Sequence, residues 1–322
     1  MRREILATLS AVTLSTAMTD AAAQTFPPPV APLAGGVTWH VYSGSAGARR
    51  YRLFVPATYD PARPAPLVVM LHGCTQDPDD FARGTRFNSA AADAGVIVVW
   101  PEQTAQQQPQ KCWSWYDPAH QAAGAGEPAI IAGITREVMA SHAVDPARVY
   151  VAGVSAGAAM AVNTAAAYPE LYAAVAAHSG IAYRAAQTVP AALSVMKSGA
   201  ADPDALAGML KAALGPHRPA LIAIHGGADV VVVPANSRQL AAQWAGALGL
   251  GPAAESTSTE DGASFARTVY DDAGGAPQVE LLIVAGVGHA WSGGSPEGTF
   301  THAGSPDATA HILRFLLAHP RR

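Results

Sequence analysis

Residues 148–163 read Arg148-Val149-Tyr150-Val151-Ala152-Gly153-Val154-Ser155-Ala156-Gly157-Ala158-Ala159-Met160-Ala161-Val162-Asn163. The first five are short, β-branched and aromatic, the mark of a buried strand. Ala158–Asn163 is helix-forming, and its pattern stops near Pro169. Between the two lies Gly153-Val154-Ser155-Ala156-Gly157, with the spacing G-x-S-x-G. A serine on a sharp strand-to-helix turn stands clear of its neighbours, and the glycines leave room where a Cβ would clash. The following helix points its N-terminus at the serine, which favours negative charge developing there. Without its flanks the pattern is a Gly/Ser turn in an Ala-rich chain. With them, Ser155 is the candidate nucleophile.

A serine hydroxyl is a weak nucleophile until a base, held by a third group, takes its proton. On an elbow of this kind the acid and then the histidine come later in the chain. Asp229 follows the predicted strand Leu221–Ile224 and the turn His225-Gly226-Gly227, so it sits at a strand's C-terminal end. Asp202, Asp204, Asp261, Asp271 and Asp272 fall in turn-like or polar stretches. His289, in Gly286-Val287-Gly288-His289-Ala290-Trp291, follows the last core strand and is the candidate base. His302, His311 and His319 fit less well, the latter two falling on the final helix, and His120 and His142 precede the serine. An oxyanion needs two N–H donors. One is the Ala156 N–H. The other is expected from the loop Leu71-His72-Gly73-Cys74-Thr75, at the Cys74 N–H.

Outward from these motifs, strands and helices alternate. Val37–Tyr42 and Arg50–Pro56 read as a hairpin. Pro66–Leu71 is a continuous apolar run, as in a strand covered on both faces. Asp79–Ala94 reads as one helix, Val96–Trp100 as a strand and Glu127–His142 as a helix. After the elbow come strand Tyr172–Ala177, strand Ala220–Ile224, helix Ala235–Leu248, strand Val279–Val284 and helix Asp307–Ala318. This order predicts an α/β fold, a mainly parallel central sheet with helices on both faces. Residues 103–126 and 181–215 break the alternation and read as site-forming insertions beside the strand ends. Trp113, Trp115, Tyr116 and Trp291 fall in or near these loops and are candidate substrate contacts, Trp291 foremost; loop packing is the other reading.

The chain has 322 residues, 50% hydrophobic and 14% charged, enough to bury a large core. Net charge is −4 with no basic stripe, which argues against nucleic acid as a partner. No H-E-x-x-H, C-x-x-C, P-loop or dinucleotide fingerprint occurs, so neither metal nor cofactor is expected. Residues 1–23 carry Arg2 and Arg3, an apolar run and Ala21-Ala22-Ala23, the plan of a signal peptide. Arg2-Arg3 also suits twin-arginine export, and no lipid-carrying cysteine follows, so no membrane anchor is expected. Residues 24–36 read as a Pro-rich linker and 37–322 as one catalytic domain. Export makes the two cysteines, Cys74 and Cys112, an expected disulfide that would tie the oxyanion loop to the Trp-rich insertion.

Together the motifs resemble the secreted poly(3-hydroxybutyrate) depolymerase esterases, from about Arg50 to Leu317. The carriers are Leu71-His72-Gly73-Cys74-Thr75-Gln76, Lys111-Cys112-Trp113-Ser114-Trp115, the Ser155 elbow, His225-Gly226-Gly227-Ala228-Asp229 and Gly288-His289-Ala290-Trp291-Ser292-Gly293-Gly294. The resemblance implies an α/β-hydrolase fold and serine hydrolysis of hydroxyalkanoate esters. It implies Ser155 as nucleophile, Asp229 as orienting acid and His289 as base, and it places His72 with Cys74 at the oxyanion loop. Many polymer-attacking members add a C-terminal polymer-binding domain, and none is evident before Arg322. Weak adsorption to crystalline granules, and a polyester or oligoester substrate, are the expectation. Feruloyl and acetylxylan esterases belong to the same broad group. A peptidase on this fold, or a non-catalytic binding protein on a hydrolase scaffold, are the remaining readings.

Overall fold

The strand Ala65–Leu71 (β3) lies at the heart of the molecule with all seven residues buried. Leu67, Val69 and Leu71 join one apolar cluster, while Val68 and Met70 join a second. Side chains alternate across a strand, so a strand apolar at every position demands cover on both faces. The strand Val144–Val154 (β5) follows the same rule: Val149 and Val151 face one cluster, Tyr150 and Ala152 the other. The structure is a computed structural model that describes residues 36–321. The predicted signal peptide, and the linker apart from Gly36, lie outside the described residues.

The other strands of the main sheet are β1 (Gly36–Gly44), β2 (Gly47–Val55), β4 (Ile97–Pro101), β6 (Ala174–His178), β7 (Ala220–Gly226), β8 (Ala254–Glu260), β9 (Ala263–Asp271) and β10 (Pro277–Val284). They run in the order β1-β2-β4-β3-β5-β6-β7-β10-β9-β8. The central six, β4 to β10, pair parallel. An antiparallel hairpin closes each edge. Helices α1 (Pro78–Thr85), α2 (Phe87–Ala94) and α8 (Ala308–Ala318) cover one face through Phe81, Phe87, Ile312 and Leu316. Helices α3 (Gly126–Ser141), α4 (Ala156–Ala167) and α7 (Ala235–Leu248) cover the other through Ile131, Met160, Leu240 and Trp244. The chain therefore leaves β3 toward one face and β5 toward the other. Neighbouring strands whose loops diverge in this way open a crevice at their C-terminal ends.

Three departures from the sequence reading have physical causes. The single helix predicted over 79–94 breaks at Arg86, which is left-handed at φ 54°. At the last turn before it a loop packs closely, since at Gly84 a Cβ would stand 2.9 Å from Thr301 Cγ2 and 3.3 Å from Gly298 Cα. Residues 181–215 are largely helical, holding α5 (Val189–Ser198) and α6 (Pro203–Leu214), capped by the side chains of Thr188 and Asp202. The hairpin β8–β9 gave no apolar signal because β8 is an edge strand with mostly exposed Ser, Thr and Glu. Pairing of β9 with β10 through the backbone holds it in place. Two short parallel strands, β11 (Trp291–Ser292) and β12 (Thr301–His302), and a single 3-10 turn, Pro118–His120, complete the elements among the described residues.

Candidate active site

Ser155 sits between β5 and α4 at φ 56°, ψ −121°, a conformation that costs free energy in any residue with a side chain. The surrounding packing enforces it. The Ser155 N–H donates to His178 O at 2.9 Å, fixing the elbow to the end of β6. At Gly157 a Cβ would lie 2.1 Å from Leu71 O and 2.5 Å from His72 O, so only glycine lets the start of α4 close on the end of β3.

Ser155, His289 and Asp229 converge from the ends of three strands. Ser155 Oγ is 3.0 Å from His289 Nε2, and His289 Nδ1 is 2.6 Å from Asp229 Oδ2. A carboxylate only accepts, so Nδ1 carries the proton and Nε2 accepts from the serine hydroxyl. Asp229 is 3% exposed, and its Oδ1 accepts from the Val231 and Val232 N–H groups at 2.8 and 3.0 Å. Burial alone would raise its pKa. Hydrogen bonds from His225, His289 and the Val231 N–H outweigh burial and hold the carboxyl well below the usual range. The acid and histidine loops lock together at Gly226, where a Cβ would meet Gly288 O at 2.2 Å.

The loop after β3 stands beside the elbow, since a Cβ on Gly73 would lie 3.3 Å from Val154 Cγ1. Gly73 N–H donates to Gln76 Oε1 at 2.9 Å and Thr75 N–H to Gln110 O at 2.7 Å. Among the described residues the Cys74 N–H meets no acceptor. Ala156 opens α4, so its N–H has no intrahelical acceptor either. Cys74 and Cys112 form a disulfide. It fastens this loop to residues 103–126, whose other anchors include Asn163 Nδ2 on Trp115 O at 2.9 Å and Gln121 Nε2 on Ala186 O at 2.8 Å.

The histidine of this loop is not an oxyanion donor through its ring. His72 Nδ1 is spent on Gly73 O at 2.8 Å, and Nε2 accepts from the Gln103 N–H at 3.0 Å. Burial pushes the ring down to about 4, so it is neutral, and it acts as a strut beneath Cys74. The tryptophans are also corrected. Trp113, Trp115 and Trp291 are 0%, 6% and 1% exposed, which leaves no ring face for a substrate. Trp113 Nε1 donates to His72 O at 3.0 Å. Trp291 Nε1 donates to Thr309 Oγ1 at 3.1 Å, and its ring stacks on His178 and meets Phe81 edge-on. An indole N–H in a core needs such a partner, and finding one makes the residue a pillar.

Sequence reasoning missed the second layer. Gln103 joins His72 to the buried carboxylate of Glu127 through its backbone N–H and its Nε2, the latter 2.6 Å from Glu127 Oε1. Glu127 also accepts from the Ser114 N–H at 2.8 Å. Gln76 ties the Cys74 loop to Thr299 O at 3.1 Å. His178 and His225 flank Ser155 and Asp229. The only signal for His225 was its place four residues before Asp229 in an apolar strand, where a histidine is costly without partners. Clefts of about 590 and 1020 Å³ lie elsewhere and are lined by no residue of the Ser155–His289–Asp229 chain, so chemistry rather than size marks the site.

A nucleophile elbow, an acid and a histidine offered in chain order by a mainly parallel sheet define the α/β-hydrolase class. An acetyl xylan esterase from Aspergillus awamori shares the fold, with TM-score 0.69 at 22% identity over 79% of this chain and 94% of that one. The chain belongs to the family described as esterase PHB depolymerase, whose sequence model matches residues 49–262. It is 34% identical over 230 residues to poly(3-hydroxyalkanoate) depolymerase C of Paucimonas lemoignei, covering 70% of this chain and 55% of that protein. It is 30% identical over 233 residues to feruloyl esterase B of Neurospora crassa, covering 69% and 77%. The chain thus spans little more than half the length of the depolymerase it matches. No helix among the described residues is long and apolar enough to cross a membrane.

Proposed function

We propose that this protein is a secreted serine ester hydrolase acting on hydroxyalkanoate oligoesters and amorphous polyester. The observation that carries the chemistry is the continuous hydrogen-bonded chain Ser155–His289–Asp229, beside two unpaired N–H groups. Ser155 Oγ attacks the ester carbonyl as its proton passes to His289 Nε2. Asp229 holds the ring's tautomer and stabilises the imidazolium. The Cys74 and Ala156 N–H groups receive the oxyanion. His289 returns the proton to the departing alkoxide. It then takes a proton from water as the water oxygen bonds to the acyl carbon, and it returns that proton to Ser155 Oγ as the acyl–Oγ bond breaks and the acid leaves. No step calls for a cofactor. The catalytic unit spans residues 37–322, and residues 1–23 direct export, which suits a chain whose cysteines are oxidised.

The family and the depolymerase relative support the polyester substrate. The feruloyl esterase relative, matched over a larger share of its length, favours a second reading as an esterase of plant cell-wall esters. Product release from amorphous poly(3-hydroxybutyrate), with wild type and Ser155→Ala compared, separates the two. Hydroxybutyrate units freed by wild type alone support the polyester reading. Cleavage of methyl ferulate or acetylated xylan, with no release from the polyester, overturns it and leaves the serine chemistry standing.

A further inference from the structure

Asp229 is shared by two histidines. Besides His289, the Nε2 of His225 lies 3.2 Å from the same Oδ2, both side chains being fully buried. His225 Nε2 is also 2.8 Å from Val232 O. Both neighbours only accept, so Nε2 carries a proton and shares it between them. At the far side, His225 Nδ1 is 2.6 Å from Ser237 Oγ. The other neighbour of that hydroxyl, Gly180 O, is 3.5 Å away, so its proton goes to Nδ1. The result is Ser237–His225–Asp229–His289–Ser155, a carboxylate with a serine–histidine pair on either side. One pair reaches the reactive surface; the other is sealed between β7 and α7.

The need for a second anchor follows from the loop. Asp229 lies three residues past the end of β7, in a turn whose backbone is held by Gly227 N–H to Val284 O and Ala228 N–H to Val287 O, bonds that leave the carboxylate itself free to swing. Its Oδ1 partners, Val231 and Val232, belong to the same loop and travel with it. His225, on the rigid strand β7, ties the carboxylate to the sheet. Ser237, in the first turn of α7, fixes the ring's tautomer.

We propose that His225, backed by Ser237, is a positioning residue that holds Asp229 Oδ2 on the His289 Nδ1–H and so sets the base for proton transfer. This rests on the serine-hydrolase reading given above. The experiment compares His225→Phe, His225→Gln and Ser237→Ala with wild type. It reads turnover of a p-nitrophenyl ester, phosphonylation of Ser155 by a fluorophosphonate, and the downfield proton resonance of the His289 Nδ1–H···Asp229 bond. His225→Phe is expected to lower kcat about 10- to 100-fold with KM little changed, the scale at which orienting partners act, and to move the resonance upfield. His225→Gln keeps an N–H donor and is expected to recover most of both signals. Ser237→Ala should move them the same way as His225→Phe, by less. If His225→Phe does not fold, His225→Asn, too short to reach Oδ2, takes its place. A folded His225→Phe or His225→Asn protein with wild-type kcat and resonance overturns the proposal. So does equal loss in His225→Gln with an unmoved resonance, which marks mere packing. Wild type that neither cleaves the ester nor takes up the probe overturns the serine-hydrolase reading itself, and this inference with it.

Discussion

At the scale of single residues, Asp229 and Trp291 illustrate two ways of being buried. Asp229 is buried yet ionised because its partners are donors. Asp229→Asn keeps the volume but turns the His289 ring to the wrong tautomer. The expected outcome is a loss of about 10³- to 10⁴-fold in kcat with KM nearly constant, measured on a soluble ester. Trp291, two residues past His289, looked in sequence like a substrate contact, but its ring is spent on Phe81, His178 and Thr309. Trp291→Phe tests the difference. A packing role predicts a destabilisation of about 1–3 kcal/mol from the cavity and the lost Trp291 Nε1–Thr309 Oγ1 hydrogen bond. Unfolding in urea reads it. A lowered melting point with KM unchanged supports packing; raised KM at unchanged stability restores the substrate role.

At the scale of elements, the site depends on how closely α4 approaches β3. Gly157→Ala places a methyl carbon about 2 Å from a carbonyl oxygen that cannot move without distorting β3. We expect a loss of more than about 2 kcal/mol in stability, the cost of overpacking a rigid contact, together with near-complete loss of esterase activity. Calorimetry and turnover check it, and normal activity at a normal melting point would contradict the packing described. The same elements show what sequence could reveal. The β3, β5 and β10 strands were legible because a strand sealed on both faces is largely apolar, the buried exception in β10 being Glu280, which is paired with Arg267 and Arg314. The β8 strand was not, since an edge strand facing water needs only backbone pairing, and Ser, Thr and Glu supply that as readily as Val.

At the scale of the whole molecule, stability should depend on oxidation and on pH. The Cys74–Cys112 bridge closes a loop across 38 positions. Loop-closure entropy for that length amounts to about 4 kcal/mol. Replacing both cysteines by serine is expected to lower the urea midpoint by a comparable free energy and to lower turnover by loosening the Cys74 N–H. Buried histidines set the acid limit. Burial pushes His72 down to about 4 and His178 down to about 3. Each binds a proton more readily unfolded, near 6.5, than folded. Stability they contribute is therefore complete above about pH 6.5 and declines as pH falls toward 4. Glu127, its carboxyl raised by burial, works in the opposite direction, contributing stability as pH falls. Melting points recorded from pH 7 to pH 4.5 should fall steadily, and a flat profile would show these rings are not held neutral.

The sequence alone determined the sheet's parallel core, the strand-elbow-helix at Ser155 and the order in which acid and histidine follow it. It did so because periodicity, glycine placement and chain order are local properties. It also pointed to the cysteine pair now bridged. The tertiary structure decided what depends on neighbours distant in the chain. It made His72, placed by the resemblance at the oxyanion loop, a strut beneath that loop, and settled the three tryptophans, candidate substrate contacts, as core. It broke the helix predicted over 79–94 at Arg86, where the last turn of α1 packs against a loop more than 200 residues away. It set His225 and Ser237 behind Asp229. A side chain's type states what it can bond to. Only the packed chain settles which partners it meets and whether water still reaches it.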